Sequence, residues 1–368
     1  MSKFTTHKLE EIADVQTGPF GSQLHMSDYK KEGTPIITVE HLGENRIIHK
    51  NLPLVGDEDK NRLKKYILKK GDIVFSRVGS VDRCAYVSAK EDDWMFSGRC
   101  LRVRTNDKVD SRFLSFYFNQ ESFKEYIRMI AVGATMPSIN TTILSEVEII
   151  LPPLKEQKTI AEILSSLDDK IDLLNRQNKT LEEISETLFR QWFVEESKLT
   201  IQLGEIAKIS TGKGLKRTEF IDNGVYPILG ANGEIGRTNN YLTDDKLILT
   251  GRVGTLGEVK ISNERVWISD NVLIIKPVEE RYFYPIYFSL KKLDFENLNA
   301  GSTQPLITQT DLKKVEIETR TELLTEFQEQ CRFYFEKIGS NNKQIRTLKY
   351  LRDTILPKLI SGEAALNN

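Results

Sequence analysis

Two short segments carry the residue types with which proteins contact nucleic acid from loops. They read SRVGSVDR at 76–83 and TGRVGTLG at 250–257. Each predicts a turn after a strand, with an arginine and a hydroxyl that can reach phosphate oxygens or base edges and a glycine that permits close approach. Both segments share this pattern, and residues that read different bases would be expected to differ. The pattern therefore indicates either phosphate contact or a scaffold turn, rather than base reading. The residues concerned are Arg77, Ser80, Arg83, Arg252 and Thr255.

Polar residues that differ between the two halves of the chain are the better candidates for base reading. Side-chain amides, imidazoles and cations present the donors and acceptors that distinguish base edges. A solvated surface position is the alternative for each of them. These candidates are Gln23, His25, Arg99, Lys213, Lys216, Arg217, Asn271 and Gln304.

The turns belong to an internal repeat that covers most of the chain. GATMPSINTTILSEVEI at 133–149 returns as GSTQPLITQTDLKKVEI at 301–317, and LEEIADVQTG at 9–18 returns as LGEIAKISTG at 203–212. Two copies of one domain predict a molecule with approximate twofold symmetry. Duplex DNA is a common target of proteins with this symmetry.

Within each copy the pattern mixes strands and helices. In the first copy, runs rich in β-branched residues predict strands at 34–42, 72–78 and 100–105. A 20-residue stretch at 111–130 keeps its aromatic residues mostly on one face and predicts a helix, with Ser111 as its N-cap. The fold class predicted is therefore α+β.

A different periodicity follows each copy. The stretch from Lys155 to about Glu196 has no glycine or proline and keeps apolar residues in a heptad seam, and a second seam follows residue 322. Each seam is narrow and includes an asparagine, which suits antiparallel pairing of the two helices as a spacer between the domains. The predicted seam residues are Leu164, Leu167, Ile171, Leu174, Asn178, Leu181, Leu188, Ile338, Asn341, Ile345, Leu348 and Ile355.

Composition limits the function classes. A net charge of −1 argues against a globally basic DNA binder, so DNA contact would use local patches. No stretch approaches the ~18 apolar residues of a membrane helix, and the start lacks a signal-peptide pattern. The three cysteines form no CxxC pair, which fits a reduced cytoplasm and a cytoplasmic location.

Motifs for catalysis and cofactors are missing. The four histidines all precede residue 50, but their spacing matches no zinc pattern and predicts no metal site. GANGEIG at 230–236 has the wrong glycine spacing for a dinucleotide, and the sequence contains no GxxxxGK[ST] loop. It also lacks the Asn/Asp-Pro-Pro-aromatic motif of adenine methyltransferases. We therefore predict no cofactor and no catalytic residues, and a self-sufficient methyltransferase is disfavoured.

Several of these segments together resemble the specificity subunit of type I restriction–modification systems. The resemblance covers essentially the whole chain. It implies two target recognition domains that each read half of a split DNA sequence, paired spacer helices and no catalysis. It also implies partners: double-stranded DNA, two adenine-N6 methyltransferase subunits and, in the restricting complex, motor-nuclease subunits. The segments are GPFGSQLHMSDY (18–29), GDIVFSRVGSVDRCAYV (71–87), SGRCLRVR (97–104), LPPLKEQKTIAEILSSLDDKIDLLNRQN (151–178) and LRDTILPKLISGE (351–363).

The sequence thus predicts a non-catalytic DNA-specificity subunit in which each domain reads one half of an asymmetric, bipartite target. The predicted boundaries are 1–153 for the first recognition domain, 154–198 for the first spacer helix, 199–321 for the second recognition domain and 322–368 for the second spacer helix. The alternative is a coiled-coil scaffold whose two globular copies bind proteins and do not read DNA.

Overall fold

The computed structural model of the chain describes residues 4–195, 199–253, 258–298 and 306–363. The chain divides into two units. The first unit comprises Met1–Leu173 and Gln344–Asn368, and the second comprises Leu174–Lys343. Each unit therefore contains one repeat copy together with part of each of two long helices.

The first unit is built around a four-stranded antiparallel sheet in the order β2-β9-β6-β7. A second four-stranded sheet has the order β3-β5-β4-β8, and β1 pairs with β10. The strands are β1 (Thr5–Lys8), β2 (Ala13–Thr17), β3 (Tyr29–Lys30), β4 (Thr34–Ile37), β5 (Leu54–Val55), β6 (Ile73–Ser76), β7 (Cys84–Tyr86), β8 (Met95–Phe96), β9 (Cys100–Thr105) and β10 (Glu148–Leu151). The helices are α1 (Leu9–Ile12), α2 (Asp57–Arg62), α3 (Ser111–Phe118), α4 (Glu121–Ile130) and α5 (Thr141–Ser145).

The second unit repeats this arrangement. Its main sheet has the order β12-β18-β15-β16, a smaller sheet has the order β14-β13-β17, and β11 pairs with β19. The strands are β11 (Thr200–Gln202), β12 (Ala207–Thr211), β13 (Tyr226–Gly230), β14 (Gly233–Thr238), β15 (Leu247–Gly251), β16 (Val259–Ser262), β17 (Trp267–Ile268), β18 (Val272–Pro277) and β19 (Glu316–Glu318). The α-helices α6 (Leu154–Phe189), α7 (Leu203–Ile206), α8 (Phe283–Lys292), α9 (Gln309–Lys313) and α10 (Leu324–Ile360) complete the elements.

The sequence repeat is thus a repeat of topology. Each main sheet joins four strands in the same relative order, all antiparallel. The second sheet of each unit, β3-β5-β4-β8 or β14-β13-β17, contains one parallel pair of strands. Ile36 lies opposite Met95 in the first unit, and Ile228 lies opposite Trp267 in the second. The prediction of an α+β fold with two related domains is confirmed.

The predicted helix at 111–130 is wrong in two details. It consists of two helices, α3 and α4, separated at Asn119 and Gln120. The Asn119 side chain donates to the Ser115 carbonyl 2.9 Å away and to the Asn45 side chain, so tertiary contacts stabilise the break. The N-cap is Asp110 rather than Ser111, because the Asp110 carboxylate accepts hydrogen bonds from the backbone N–H groups of residues 112 and 113.

The predicted strands are shorter than expected at two of three places. The strand predicted at 100–105 matches β9, whose residues are mostly buried. The stretch 34–42 is a strand only as far as Ile37 and then turns into a 3₁₀ helix, and 72–78 is a strand only from Ile73 to Ser76. In both cases the polar end of the segment leaves the sheet to form a loop.

The two long helices run antiparallel to each other within each unit. In the first unit Asp168 of α6 accepts a 2.9 Å hydrogen bond from Arg352 of α10. In the second unit Asn178 donates to Asn342 at 2.8 Å, and Phe193 lies edge-on to Phe327. Residues Arg190–Glu195 continue α6 as a π-helical turn.

Each unit has its own apolar core, formed by the main sheet, the helices packed on it and the adjoining parts of α6 and α10. Burial raises the pKa of each cysteine thiol, Cys84, Cys100 and Cys331, to about 12. None of the described helices is long and apolar enough to span a membrane.

Candidate nucleic-acid interface

Within the described residues, the predicted DNA-contacting residues of each unit lie in loops that leave the same edge of its main sheet. In the first unit Thr17 at the end of β2 pairs with Leu101 near the start of β9, and Ser76 at the end of β6 pairs with Cys100. The loops 18–28, 77–83 and 97–99 therefore start from one edge. We call this the loop edge of the first unit.

The loop edge of the second unit is formed in the same way. Thr211 at the end of β12 pairs with Leu273 near the start of β18, and Gly251 at the end of β15 pairs with Val272. The loops after β12, before β18 and after β15 thus share an edge. These edges collect candidates that are distant in sequence. Gln23 and Arg99 are 76 residues apart in the first copy, and Lys213 and Asn271 are 58 apart in the second.

Arg77 is tied into the scaffold of the first loop edge. Its guanidinium donates to the Gly98 carbonyl at 3.2 Å and to the Thr17 hydroxyl at 3.4 Å, and it lies 5.6 Å from the centre of the Phe20 ring. Its backbone N–H donates to the Arg99 carbonyl at 2.8 Å. Of the two alternatives for the Arg-Val-Gly turn, this geometry supports the scaffold role in the first unit.

Two further candidates of the first unit are also engaged in internal contacts. Arg83 donates from its guanidinium to the carbonyl of Leu42, in a different loop. Gln23 is half-buried, and its side-chain oxygen accepts a 2.6 Å hydrogen bond from the hydroxyl of Tyr66. These contacts fix loops relative to the sheet and leave neither side chain fully available to a ligand.

The remaining candidates of the first unit, His25, Ser80 and Arg99, are exposed at the loop edge. The structure also places Phe20 there, with 54% of its surface exposed. Phe20 is not among the residues predicted above to contact DNA. Its position between two glycines in GPFG is the signal that could have identified it, because that pattern is typical of a tight turn rather than of a core segment.

Two backbone hydrogen bonds of Arg77 recur at Arg252 in the second unit. The N–H of Arg252 donates to the Asn271 carbonyl at 2.9 Å, as that of Arg77 does to Arg99. The carbonyl of Arg252 accepts from the N–H of Ile307 at 3.0 Å, and that of Arg77 accepts from Ile139. The two guanidiniums differ, since the buried Nε of Arg252 makes no hydrogen bond among the described residues. Asn271 is exposed beside it.

Three cations of the second unit form an exposed group after β12. Lys213, Lys216 and Arg217 are all exposed, and none makes a salt bridge within the described part of the chain. We call these three residues the cationic segment. The backbone that carries it is held in place, because Trp267 donates from its indole to the Lys213 carbonyl at 2.8 Å. The remaining candidates, Thr255 and Gln304, lie outside the described residues.

Polar pairs occupy the middle of the predicted helix seam. The Asn341 side chain is fully buried and donates to Asn178 at 2.8 Å and to Gln177 at 2.9 Å. Its own carbonyl oxygen makes no hydrogen bond in the part of the chain that the structure describes. None of the predicted seam residues is exposed: Leu164, Ile171, Leu174, Asn341 and Ile345 are buried, and Leu167, Asn178, Leu181, Leu188, Ile338, Leu348 and Ile355 are half-buried.

Neither loop edge has the features of a catalytic centre. Across the described residues, no group of three or more His, Cys, Asp or Glu side chains is placed to hold a metal ion. Two cavities of about 390 and 480 Å³ lie in the first unit and are lined by polar and apolar residues of its loops, of α3 and α4, and of the long helices. The exposed polar and cationic groups of the loop edges are suited to contacts with DNA rather than to bond breaking.

Comparison with known proteins decides the family. The profile of the type I restriction modification DNA specificity domain matches residues 1–183 and 195–319. The chain belongs to this family. It is a specificity subunit of a type I restriction–modification system, and such subunits are non-catalytic.

Relatives extend over nearly the whole chain. The specificity subunit of the type I restriction enzyme MjaIX from Methanocaldococcus jannaschii is 25% identical over 97% of this chain and 92% of its own length. That of HindI from Haemophilus influenzae is 23% identical, over 87% of this chain and 92% of its own. The crystal structure of a type I S subunit from M. genitalium shares the fold, with a TM-score of 0.65 at 19% identity and coverage of 97% and 96%.

Proposed function

We propose that this chain reads an asymmetric DNA target in two halves. The domain at 1–153 reads one half and the domain at 199–321 reads the other. The observation that carries the proposal is the pair of loop edges, which have one backbone plan and different exposed side chains. Two domains with the same backbone arrangement are suited to the same role, contact with DNA. Different exposed side chains allow the two domains to recognise different base sequences.

The charge distribution supports local contact rather than a global field. The chain as a whole has a net charge of −1, while the cationic segment presents at one loop edge three positive charges that make no salt bridge among the described residues. Phosphate contacts by such residues position a protein on DNA, and neighbouring polar side chains read bases. In the first unit Ser80 and Arg99 are the exposed candidates for these roles, with His25.

We further propose that the segments 154–198 and 322–368 act as the spacer that fixes the gap between the two half-sites. Antiparallel pairing with a buried asparagine, Asn341, that is hydrogen-bonded to Asn178 holds one register, and a fixed register gives a fixed length. Inserting four residues, about one helical turn, near Asn178 with a matching insertion in the opposing helix is expected to lengthen the gap and leave both half-sites unchanged. A changed half-site would contradict this spacer role.

The proposed partners are double-stranded DNA, two adenine-N6 methyltransferase subunits and, in the restricting complex, motor-nuclease subunits. Methylation and cleavage have to come from them, because the chain carries no catalytic motif of its own. This assembly places the protein in the cytoplasm, where the chromosome and invading DNA are found.

Methylome sequencing tests the proposal. A methylation-free host would carry the neighbouring methyltransferase subunit with and without this chain. We expect N6-methyladenine in a motif of two short blocks separated by a fixed run of unspecified bases, only when this chain is present. No new methylation despite an assembled, soluble complex would contradict DNA reading and would favour a protein-binding scaffold.

A further inference from the structure

One apolar side chain stands among the polar residues of the first loop edge. Phe20 is 54% exposed, whereas its neighbours Gly18 and Pro19 are buried. A single exposed apolar side chain is ordinary on a protein surface. Phe20 differs from that ordinary case in two ways. It lies in a closely packed turn, and it shares the loop edge with residues predicted to contact DNA.

The turn that carries Phe20 packs closely against the loop at 97–99. A Cβ at Gly18 would lie 2.2 Å from the carbonyl oxygen of Ser97, and a Cβ at Gly98 would lie 2.7 Å from the Cβ of Phe20. Only glycine permits this approach of the two loops. The Gly18 N–H also donates to the Cys100 carbonyl at 3.2 Å, which ties the turn to the edge of the main sheet.

Arg77 holds the ring from one side. Its guanidinium lies 5.6 Å from the ring centre, a cation–π distance, and is itself held by the Gly98 carbonyl and the Thr17 hydroxyl. The exposed part of the ring is therefore presented in a fixed direction. A rigid side chain loses little conformational entropy when it binds, which favours a contact residue.

The position equivalent to Phe20 in the second copy is a glycine, Gly214. Gly212 corresponds to Gly18 and is packed in the same way, since its Cβ would also lie 2.2 Å from a carbonyl oxygen, that of Ser269. Two residues later the second copy has Gly214, where the first has Phe20. The cationic segment follows there instead. The ring is thus a feature in which two otherwise matching loop edges differ.

Building on the proposed function, we propose that Phe20 packs against a base of the half-site read by the first unit and contributes to its specificity. Apolar surface distinguishes bases by contact with the thymine methyl group or by insertion at a base step that unstacks easily. Both are apolar contacts with a base. The glycine at the equivalent position of the second unit, Gly214, confines this contribution to one half of the target.

The test uses the complete complex of this chain with its methyltransferase subunits and a duplex that contains the methylated motif. Phe20→Ala is expected to lower the affinity for this duplex by at least about tenfold. It should also relax base discrimination in the first half-site, with the second half-site unchanged. Phe20→Leu, which keeps apolar bulk, should lose less. Phe333→Ala is the matched control, since Phe333 is 70% exposed on α10 and outside both loop edges.

Two substitutions in the DNA separate the forms of apolar contact. Replacing thymine by uracil in the first half-site removes the methyl group. If the ring contacts that methyl, the exchange weakens the unaltered protein and not Phe20→Ala. If the ring inserts at a base step, 2-aminopurine beside that step gains fluorescence with the unaltered protein and not with Phe20→Ala. Either result supports the proposal.

The proposal is overturned if Phe20→Ala, with an unchanged melting temperature, keeps full affinity and full discrimination in the first half-site. It is also overturned if the variant loses the methyltransferase subunits and otherwise binds the target normally, because Phe20 would then be a protein contact. A complex with unaltered protein that shows no target preference contradicts the proposed function itself, which keeps the two failures distinct.

Discussion

A buried ion pair joins the two long helices in the first unit, and its removal should be costly. Asp168 on α6 and Arg352 on α10 lie 2.9 Å apart, and their side chains are only 9% and 15% exposed. Breaking such a pair by removing one partner typically costs about 3–5 kcal/mol, because the other charge stays buried and unpaired. Arg352→Leu leaves the Asp168 carboxylate in that situation.

The magnitude expected here is at the low end of this range. Asp168 lines both cavities of the first unit, so water can approach its carboxylate once the guanidinium is gone. Arg352 also contacts the exposed carboxylate of Asp353 at 2.9 Å, a contact worth little. We expect a loss of about 3 kcal/mol, which lowers the melting temperature of a unit of this size by about 6–12 °C.

Differential scanning calorimetry of the full chain measures this effect. The double variant Asp168→Leu, Arg352→Leu replaces both charges by apolar side chains, and we expect it to be close to the unaltered protein in stability. Arg332→Leu, which removes an exposed ion pair with Glu329 on the same helix, should cost about 1 kcal/mol or less. The reasoning is refuted if Arg352→Leu costs no more than Arg332→Leu, or if the double variant loses the sum of both single losses.

Three other predictions concern the second unit and the thiols. Asn341→Leu removes a buried carbonyl oxygen that makes no hydrogen bond among the described residues, and it also removes two hydrogen bonds to Gln177 and Asn178, which can both reach water. Because a polar residue in a helix seam costs stability, we expect the variant to stabilise the second unit by about 1 kcal/mol; a lower melting temperature would contradict this. Replacing the cationic segment by glutamines should reduce the slope of log affinity for DNA against log salt by up to about 3, and an unchanged slope would exclude phosphate contact. Because burial raises their pKa to about 12, the three cysteine thiols should react with a thiol reagent at pH 8 only after unfolding. Between about pH 9 and 12 the unfolded chain loses thiol protons that the folded chain keeps, so stability should fall as pH rises, which urea titrations would detect.

Features set by short-range periodicity were predictable from the sequence. The heptad seam depends only on residues three and four apart, and the structure leaves none of the predicted seam residues exposed. The duplication was also predictable, because equivalent turns need the same glycines. A Cβ at either Gly18 or Gly212 would clash with a backbone carbonyl of the neighbouring loop. The strand β9 was predicted at its observed bounds since its β-branched run lies between turn residues.

Features that depend on distant partners were not predictable. Nothing local in the sequence indicates that the guanidiniums of Arg77 and Arg83 are bound by backbone carbonyls of other loops. The break after α3 has no proline or glycine, and its cause is the contact of Asn119 with Asn45, far away in sequence. Phe20 is apolar, as core residues are, and the GPFG pattern indicates a turn there without showing that the ring faces outward.

Exchanging residues 1–150 for the same domain of a relative with another target tests the central claim most directly. Methylome sequencing of a methylation-free host that carries the exchanged chain and its methyltransferase subunit gives the readout. Two independent readers predict a motif in which one half changes, while the other half and the gap stay the same. A motif changed in both halves, or unchanged in both, would contradict the account.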